Sequence, residues 1–325
     1  MKGLLGSCPL GGVSYALAFP LAVTVANMLS LRSKLLKIRR IAAAPLRRQR
    51  VKRLGTQGKA PIHCLFYHRV ADEHPNDWTI GRAAFEAQID YLRSRFEIIG
   101  LDELQRRVRQ CDSHRSAVAI TFDDGYADNS RFALPLLMRH KIPCTYFATV
   151  QNVTSGRPFE HDIQAGQPLT PNTVEELRAA AEGGIEIGLH TRTHFDFANV
   201  DDSEVIRSEI DAAMTELSDL IGRRVRYFAF PYGLPPQLTQ AAIQAVQAAG
   251  MEGFCSAFGA YNLPGRDAFH IRRFHGDPEP ERFLNWLEFD QRKVRREPLI
   301  SYPQESPTTL DQASAVDQSV HEQVS

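Results

Sequence analysis

Short apolar runs alternate with segments of helical periodicity through the middle of the chain, between residues 61 and 293. The apolar runs that predict strands are 62–68, 117–122, 144–150, 185–189, 227–230, 252–257 and 269–274. Between them, apolar residues recur every three or four positions, which predicts amphipathic helices at 84–96, 129–140, 203–221 and 238–249. This alternation is typical of parallel βα units, so we predict an α/β domain of about seven parallel strands.

Periodicity alone is compatible with a doubly wound open sheet and with a distorted (β/α) barrel. Polar residues capable of chemistry follow directly after three of the strands: Asp123 and Asp124, then His190, then Pro231 and Tyr232. The carboxyl ends of barrel strands converge at one mouth. This placement therefore favours the distorted barrel.

The two ends of the chain differ from the middle. Residues 1–31 form an apolar segment, residues 32–60 form a basic arm, and residues 294–325 form a polar tail that we predict to be disordered. Residues 61–293 make up the remaining domain. Three interpretations of the apolar segment stay open: a weak membrane span, a signal-like segment, or sequence upstream of a true start at Met28.

Charge is unevenly distributed, although the 325-residue chain is neutral overall with 38 Lys+Arg and 38 Asp+Glu. The overall charge gives no argument for a nucleic-acid partner. No acid precedes Asp72, whereas ten bases lie between residues 32 and 53. Such a cluster favours contact with an anionic membrane surface. By the positive-inside rule, it also favours a membrane-associated or cytoplasmic-face location over simple secretion. No pattern specifies an oligomeric state.

The candidate metal ligands are carboxylates and imidazoles, because the five cysteines lack Cys-x-x-Cys spacing. Asp123 and Asp124 end an apolar strand side by side. A cation would relieve their repulsion, with one as ligand and the other as a base. His190 and His194 share one face if their segment is helical, which suits a divalent ion. Two histidines and one aspartate leave open positions for water and substrate, as a hydrolytic metal site requires.

Four motifs taken together resemble the polysaccharide deacetylase family, carbohydrate esterase family 4, also called the NodB homology domain. They are YHRV at 67–70, TFDDG at 121–125, HTRTH at 190–194 and FAFPYG at 228–233. The resemblance covers residues 61–293 and implies a distorted (β/α) barrel. It also implies a metal-dependent hydrolase that removes N-acetyl groups from an N-acetylhexosamine-containing glycan by metal-activated water. The implied cofactor is a divalent metal, most often zinc.

The resemblance also implies roles for the matched residues. Asp124, His190 and His194 correspond to the metal ligands of the family, and Asp123 corresponds to its catalytic base. The backbone N–H of Tyr232 corresponds to the oxyanion donor.

Further roles are implied for residues around the predicted mouth. Pro231 corresponds to a residue that shapes the acetyl pocket. The family's general acid, a histidine late in the domain, corresponds to His275, with Asp277 as a candidate orienting partner. His68, at the end of the first strand, either faces the mouth or packs against that strand's neighbours.

The chain departs from the family pattern in two places. Ala229 stands where many members have an arginine near the base, and Arg273, Arg272 and Arg192 are the candidates to replace it. Arg273 is the one we assign, with the oxyanion and substrate-binding residues. The acidic residue and tryptophan of the family's fourth motif are absent from 251–262.

Two other functions stay open at this point. One is a different non-peptide C–N hydrolase on the same scaffold, and the other is a non-catalytic, metal-containing glycan-binding protein. Asp123 favours catalysis, because binding alone does not require a free base beside the metal ligands.

Overall fold

The computed structural model describes residues 18–303. Residues 1–17 of the predicted apolar segment and residues 304–325 of the predicted tail lie outside the described residues. The strands are β1 (Ile62–Tyr67), β2 (Arg69–Val70), β3 (Thr79–Ile80), β4 (Glu97–Ile98), β5 (Ala117–Phe122), β6 (Thr145–Ala148), β7 (Glu186–Leu189), β8 (Tyr227–Ala229), β9 (Gly253–Cys255), β10 (His270–Ile271) and β11 (Phe274–His275).

The strands are surrounded by helices. These are α1 (Ala18–Gly55), α2 (Arg82–Arg95), α3 (Leu101–Gln110), α4 (Ala127–Arg131), α5 (Ala133–Arg139), α6 (Val150–Ser155), α7 (Glu160–Gln164), α8 (Val174–Glu182), α9 (Ser203–Arg207), α10 (Ala213–Ile221), α11 (Gln240–Ala248), α12 (Pro280–Leu287) and α13 (Gln291–Arg295). A π-helical segment, Ser208–Ala212, joins α9 to α10, and a 3₁₀ turn spans Pro235–Gln237. The helix predicted over 203–221 is therefore interrupted.

The parallel strands form one curled sheet in the order β10-β9-β8-β7-β6-β5-β1-β11, with β4 also paired to β5. Its two edges belong to one short segment of chain. His270 pairs with Phe254 of β9, and Phe274 pairs with Leu65 of β1. The seventh predicted strand is therefore split in two and brings the sheet edges together, which confirms the distorted (β/α) barrel.

Alternate residues along each strand face two different cores. Cys64 of β1 and Ala119 of β5 cluster with residues of β6, β8, β9 and β10. Most of these strands are not neighbours of β1 or β5 in the sheet, so this cluster fills the barrel interior. Leu65 and Ile120 pack outward against the helices. Asp123 is four residues after Ala119, so strand alternation places both side chains on the same face. Asp123 therefore points inward at the carboxyl end of β5.

Both predicted terminal segments contribute to the packed domain. Residues 32–55 of the basic arm lie in α1, whose ion pairs to α12 and the following residues include Arg40–Glu281, Arg40–Glu288, Arg47–Glu288 and Arg47–Asp290. At the other end, the Tyr302 ring packs 5.6 Å from that of Phe254. Packed structure thus extends past the predicted boundary at Lys293. Among the residues that the structure describes, no helix is long and apolar enough to cross a membrane.

Candidate metal centre and active site

The predicted ligands converge at the barrel mouth. The Nε2 atoms of His190 and His194 lie 3.3 and 3.4 Å from Asp124 Oδ1, and one ligand atom from each residue lies within 4.8 Å of the others. Asp124 Oδ1 is buried and makes no hydrogen bond of good geometry. Two imidazoles and an uncompensated buried carboxylate oxygen are a donor set that fits a divalent ion.

The backbone orients the ring of His190. Its Nδ1 lies 2.8 Å from the carbonyl oxygen of Ala229, at the end of β8, which leaves Nε2 directed at Asp124. A ring nitrogen bonded to a backbone carbonyl is the usual arrangement of a metal-ligating histidine. Ala229, which stands where the family pattern has an arginine, therefore contributes to the centre through its backbone.

The HTRTH segment is not helical, although a helix is the conformation in which its spacing would place the two histidines on one face. It forms a turn in which Thr191 and His194 have left-handed φ angles of 63° and 59°. The turn still brings the two imidazoles together, with ring centroids 5.2 Å apart. The predicted convergence is therefore observed, but a strained turn produces it.

A buried carboxylate that the motifs did not indicate holds this turn. Glu209 accepts hydrogen bonds from the N–H groups of Arg192 and Thr193, both at 3.0 Å, and from the Thr193 hydroxyl at 2.8 Å. It lies in the π-helical segment between α9 and α10. One signal in the sequence could have indicated this role: Glu209 lies on the same helix face as Ile206 and Ala213, which are both buried.

Asp123 forms a buried, bidentate ion pair with Arg273. Arg273 Nη1 donates to Oδ1 at 2.7 Å and Nη2 donates to Oδ2 at 2.8 Å, while the guanidinium also lies over the rings of Phe66 and Phe147. Burial alone would raise the pKa of Asp123, but the charge of Arg273, with smaller contributions from nearby histidines, lowers it overall. The carboxyl group is therefore ionised.

The other two candidate arginines lie elsewhere. Arg272 points away from the barrel interior and pairs with Glu297. Arg192 is part of the HTRTH turn but extends to Glu216 at 2.7 Å. Only Arg273, among these three, reaches the carboxylate beside the candidate metal ligands.

Tyr232 and Pro231 border the same centre. Tyr232 has a left-handed φ of 60°, its side chain is 55% exposed, and its ring lies 5.3 Å from that of His194. Pro231 is buried directly before it. Within residues 18–303, the Tyr232 N–H has no hydrogen-bond acceptor, so it is available to a bound group.

His275 and His68 lie on the opposite side of the mouth, at the ends of β11 and β1. Their ring centroids are 5.9 Å apart, and both pack against Phe66. Burial, and then the neighbouring His68, lower the pKa of His275 to about 4, so its resting imidazole is neutral at pH 7. His68 Nδ1 is buried without a hydrogen-bond partner.

Asp277 does not orient the His275 ring. Its carboxylate pairs with Arg282 at 2.9 Å and accepts the Glu279 N–H at 2.9 Å. Asp277 therefore begins the connection to α12, and it provides no carboxylate partner for the imidazole of His275.

A polar cavity of about 340 Å³ adjoins the centre on the side of His194 and Tyr232. The α6 and α7 region forms its other wall, through residues that include Asn152, Phe159 and His161. The long excursion after β6 thus contributes to the mouth.

Comparison with known proteins relates the central part of the chain to a family. Residues 111–254 match the family model described as polysaccharide deacetylase. The chain is 27% identical over 119 residues to a bifunctional xylanase/deacetylase of Pseudobutyrivibrio xylanivorans, covering 37% of this chain and 17% of that protein. It is 22% identical over 182 residues to the Bacillus subtilis (strain 168) protein named "Putative polysaccharide deacetylase YxkH", covering 55% and 60%. The chain thus spans less than two thirds of either curated relative.

A similar fold is found among solved structures. The structure of IcaB from Ammonifex degensii superposes with a TM-score of 0.59 at 23% identity, covering 70% of this chain and 97% of that one. The resemblance seen in the motifs is confirmed over residues 111–254, which match the polysaccharide deacetylase model, the NodB or carbohydrate esterase family 4 domain.

Proposed function

We propose that this domain is a divalent-metal-dependent hydrolase that removes N-acetyl groups from an N-acetylhexosamine-containing glycan. The observation that carries the proposal is the convergence of Asp124, His190 and His194 within 4.8 Å, beside the ionised Asp123. The metal we propose is zinc, since two imidazoles and one carboxylate form a common ligand set of hydrolytic zinc sites. The names of the curated relatives as deacetylases agree with this activity.

Asp123 is the proposed general base. An ion held by the three ligands would polarise the acetyl carbonyl and lower the pKa of water beside it. Arg273 uses one lone pair on each Asp123 oxygen, and a carboxylate has about four acceptor positions, so the remaining ones can accept a proton from the attacking water. Arg273 thus orients the base while keeping it charged.

The turn after β8 is proposed to bind the acyl group. The free N–H of Tyr232 would donate to the oxyanion that develops on the carbonyl oxygen. Pro231, buried before it, and the ring of Tyr232 would enclose the methyl end. The left-handed φ at Tyr232 supports this role, because it sets the direction of the N–H without substrate.

His275 is the proposed proton donor to the leaving amine. Its resting imidazole is neutral, so before it can donate to the amine it must take up a proton, namely the one that Asp123 removes from the attacking water. His275 lies on the side of the mouth opposite Tyr232. The two residues would thus act on opposite sides of the acetamide.

The deciding experiment measures acetate release from a panel of N-acetylated glycan oligomers by the zinc-loaded protein. We expect acetate from at least one glycan, and a loss of roughly a hundredfold to ten-thousandfold in the Asp123→Asn variant with zinc content unchanged. Circular dichroism and thermal unfolding control for the fold. Release of a different product from a non-sugar amide would favour the other C–N hydrolase, and sugar binding without any product would favour a binding protein.

Besides the glycan substrate, the charge of the basic arm favours an anionic membrane surface as a partner. That interaction concerns helix α1 and is independent of the catalytic proposal.

A further inference from the structure

Helix α1 has a packed face and a face without a partner in the described part of the chain. On the packed face, Ser33 donates to Glu279, Arg40 and Arg47 pair with α12 and the residues after it, and Val51 packs against the cluster of Tyr261. At 3.6 residues per turn, a second set of apolar residues falls opposite that face. These residues, the exposed stripe, are Leu31, Leu35, Ile38 and Leu46.

The exposed stripe is unusual for this molecule. Its side chains are 53 to 74% exposed, and they account for four of the ten large hydrophobic residues that are exposed among the side chains that the structure describes. Exposed hydrophobic residues on a protein surface normally occur singly. Four on one helix face therefore indicate an interaction surface.

Basic residues line both edges of the exposed stripe. Lys34 and Lys52 lie along one edge, and Arg39 and Arg50 lie along the other. These four side chains are exposed and make no ion pair with the described residues. No acidic residue occurs anywhere in α1.

We propose that α1 binds an anionic lipid surface, with the exposed stripe at the boundary between headgroups and acyl chains. Long basic side chains beside an apolar stripe can bury their methylenes and extend their charges to anionic headgroups. A second copy of the chain fits this face poorly, because pairing two stripes would bring rows of positive charge together. The charge pattern thus selects lipid as the occupant.

The test is sedimentation of the full chain with vesicles of phosphatidylcholine, with and without phosphatidylglycerol. We expect binding only to the anionic vesicles. The stripe variant Leu35→Gln/Ile38→Gln/Leu46→Gln should lose it. The base variant Lys34→Gln/Arg39→Gln/Arg50→Gln should partition roughly a hundredfold more weakly, since each base near the surface contributes about a fivefold effect. The control Arg109→Gln/Arg139→Gln/Arg223→Gln removes three exposed bases elsewhere and should bind as the unmodified chain does.

Three results would overturn the proposal. Equal binding to neutral vesicles would remove the role of charge, and undiminished binding by the stripe variant would assign binding to another segment. A change from dimer to monomer in the stripe variant, without vesicle binding by the parent chain, would assign the face to a second copy. Acetate release from a soluble substrate, measured in parallel, should be unchanged in every variant, so that failure of the catalytic proposal stays distinguishable.

Discussion

The two sides of the barrel mouth are built in different ways. On the side formed by β5, β7 and β8, Asp124, His194 and Tyr232 all have left-handed backbone conformations, with φ between 59° and 75°. On the side formed by β1 and β11, Arg273 and His275 have no such strain, and Arg273 is positioned by its ion pair with Asp123 and by its hydrogen bond to the carbonyl oxygen of Ser256. The metal side thus depends on strained local turns, whereas Arg273 on the other side depends on contacts between distant parts of the sequence.

The largest effect is expected on the metal side, from His194→Ala. This variant removes one of the three proposed ligands of the proposed zinc ion, so bound zinc should be lost and acetate release should fall roughly a thousandfold or more. Elemental analysis of the purified protein measures the zinc. The matched control is His140→Ala, an exposed histidine at the end of α5, which should keep both zinc and activity. Full zinc occupancy in His194→Ala would remove His194 from the ligand set.

The metal side was predictable because its information is local. Asp123-Asp124 and the HTRTH spacing follow apolar runs that the structure confirms as β5 and β7. The geometry of the turn was not predictable from that spacing. The separation of four residues brings the two histidines together if the segment is helical, but left-handed Thr191 and His194 produce the same convergence in a turn.

On the opposite side, Arg273→Gln should give the largest loss of stability. It would leave Asp123 as a buried, unpaired carboxylate, and breaking one partner of a buried pair typically costs about 3–5 kcal/mol. Urea unfolding measures the change. The comparison is Arg192→Gln, which breaks a partly exposed pair with Glu216 and should cost less than about 1 kcal/mol. Equal losses in the two variants would show that the ion pair does not hold this side.

The choice of Arg273 over Arg272 depended on a feature that the sequence shows only in part. Ile271 faces the barrel interior, so strand alternation directs Arg273 inward and Arg272 outward. The predicted strand 269–274, however, breaks into β10 and β11 at the position of the two arginines. Alternation across such a break is known only once the pairing of Phe274 with Leu65 is known.

A third prediction concerns acid stability on the β1 and β11 side. Burial, and then the charge of Lys293, lower the pKa of His63 to about 3 from 6.5. Below pH 6.5 the unfolded chain binds a proton that the folded state excludes, so the free energy of unfolding falls as pH decreases toward 3. From pH 7 to pH 5 this contribution is about 2 kcal/mol. The variant His63→Phe keeps a ring beside Phe96 and Phe274 and should show a correspondingly flatter profile in urea unfolding. Parallel profiles for the two proteins would mean that His63 is not a neutral group in the fold.

The smallest effect is expected on the metal side, from Glu209→Ala. This variant tests whether the HTRTH turn needs hydrogen bonds to a residue outside the turn. Glu209 is directed at the HTRTH turn by the π-helical segment Ser208–Ala212, in which one wider turn changes the direction of the side chain. In Glu209→Ala, two backbone N–H groups and the Thr193 hydroxyl lose their acceptor, so His194 is held less firmly. Loss of such a supporting contact typically lowers metal affinity ten- to a hundredfold, which competition with a zinc chelator measures. Glu204→Ala, on the exposed face of α9, is the matched control and should leave affinity unchanged. If Glu209→Ala binds zinc as tightly as the control does, the left-handed residues of the turn are sufficient by themselves, and the metal side is local in its energetics as well as in its sequence.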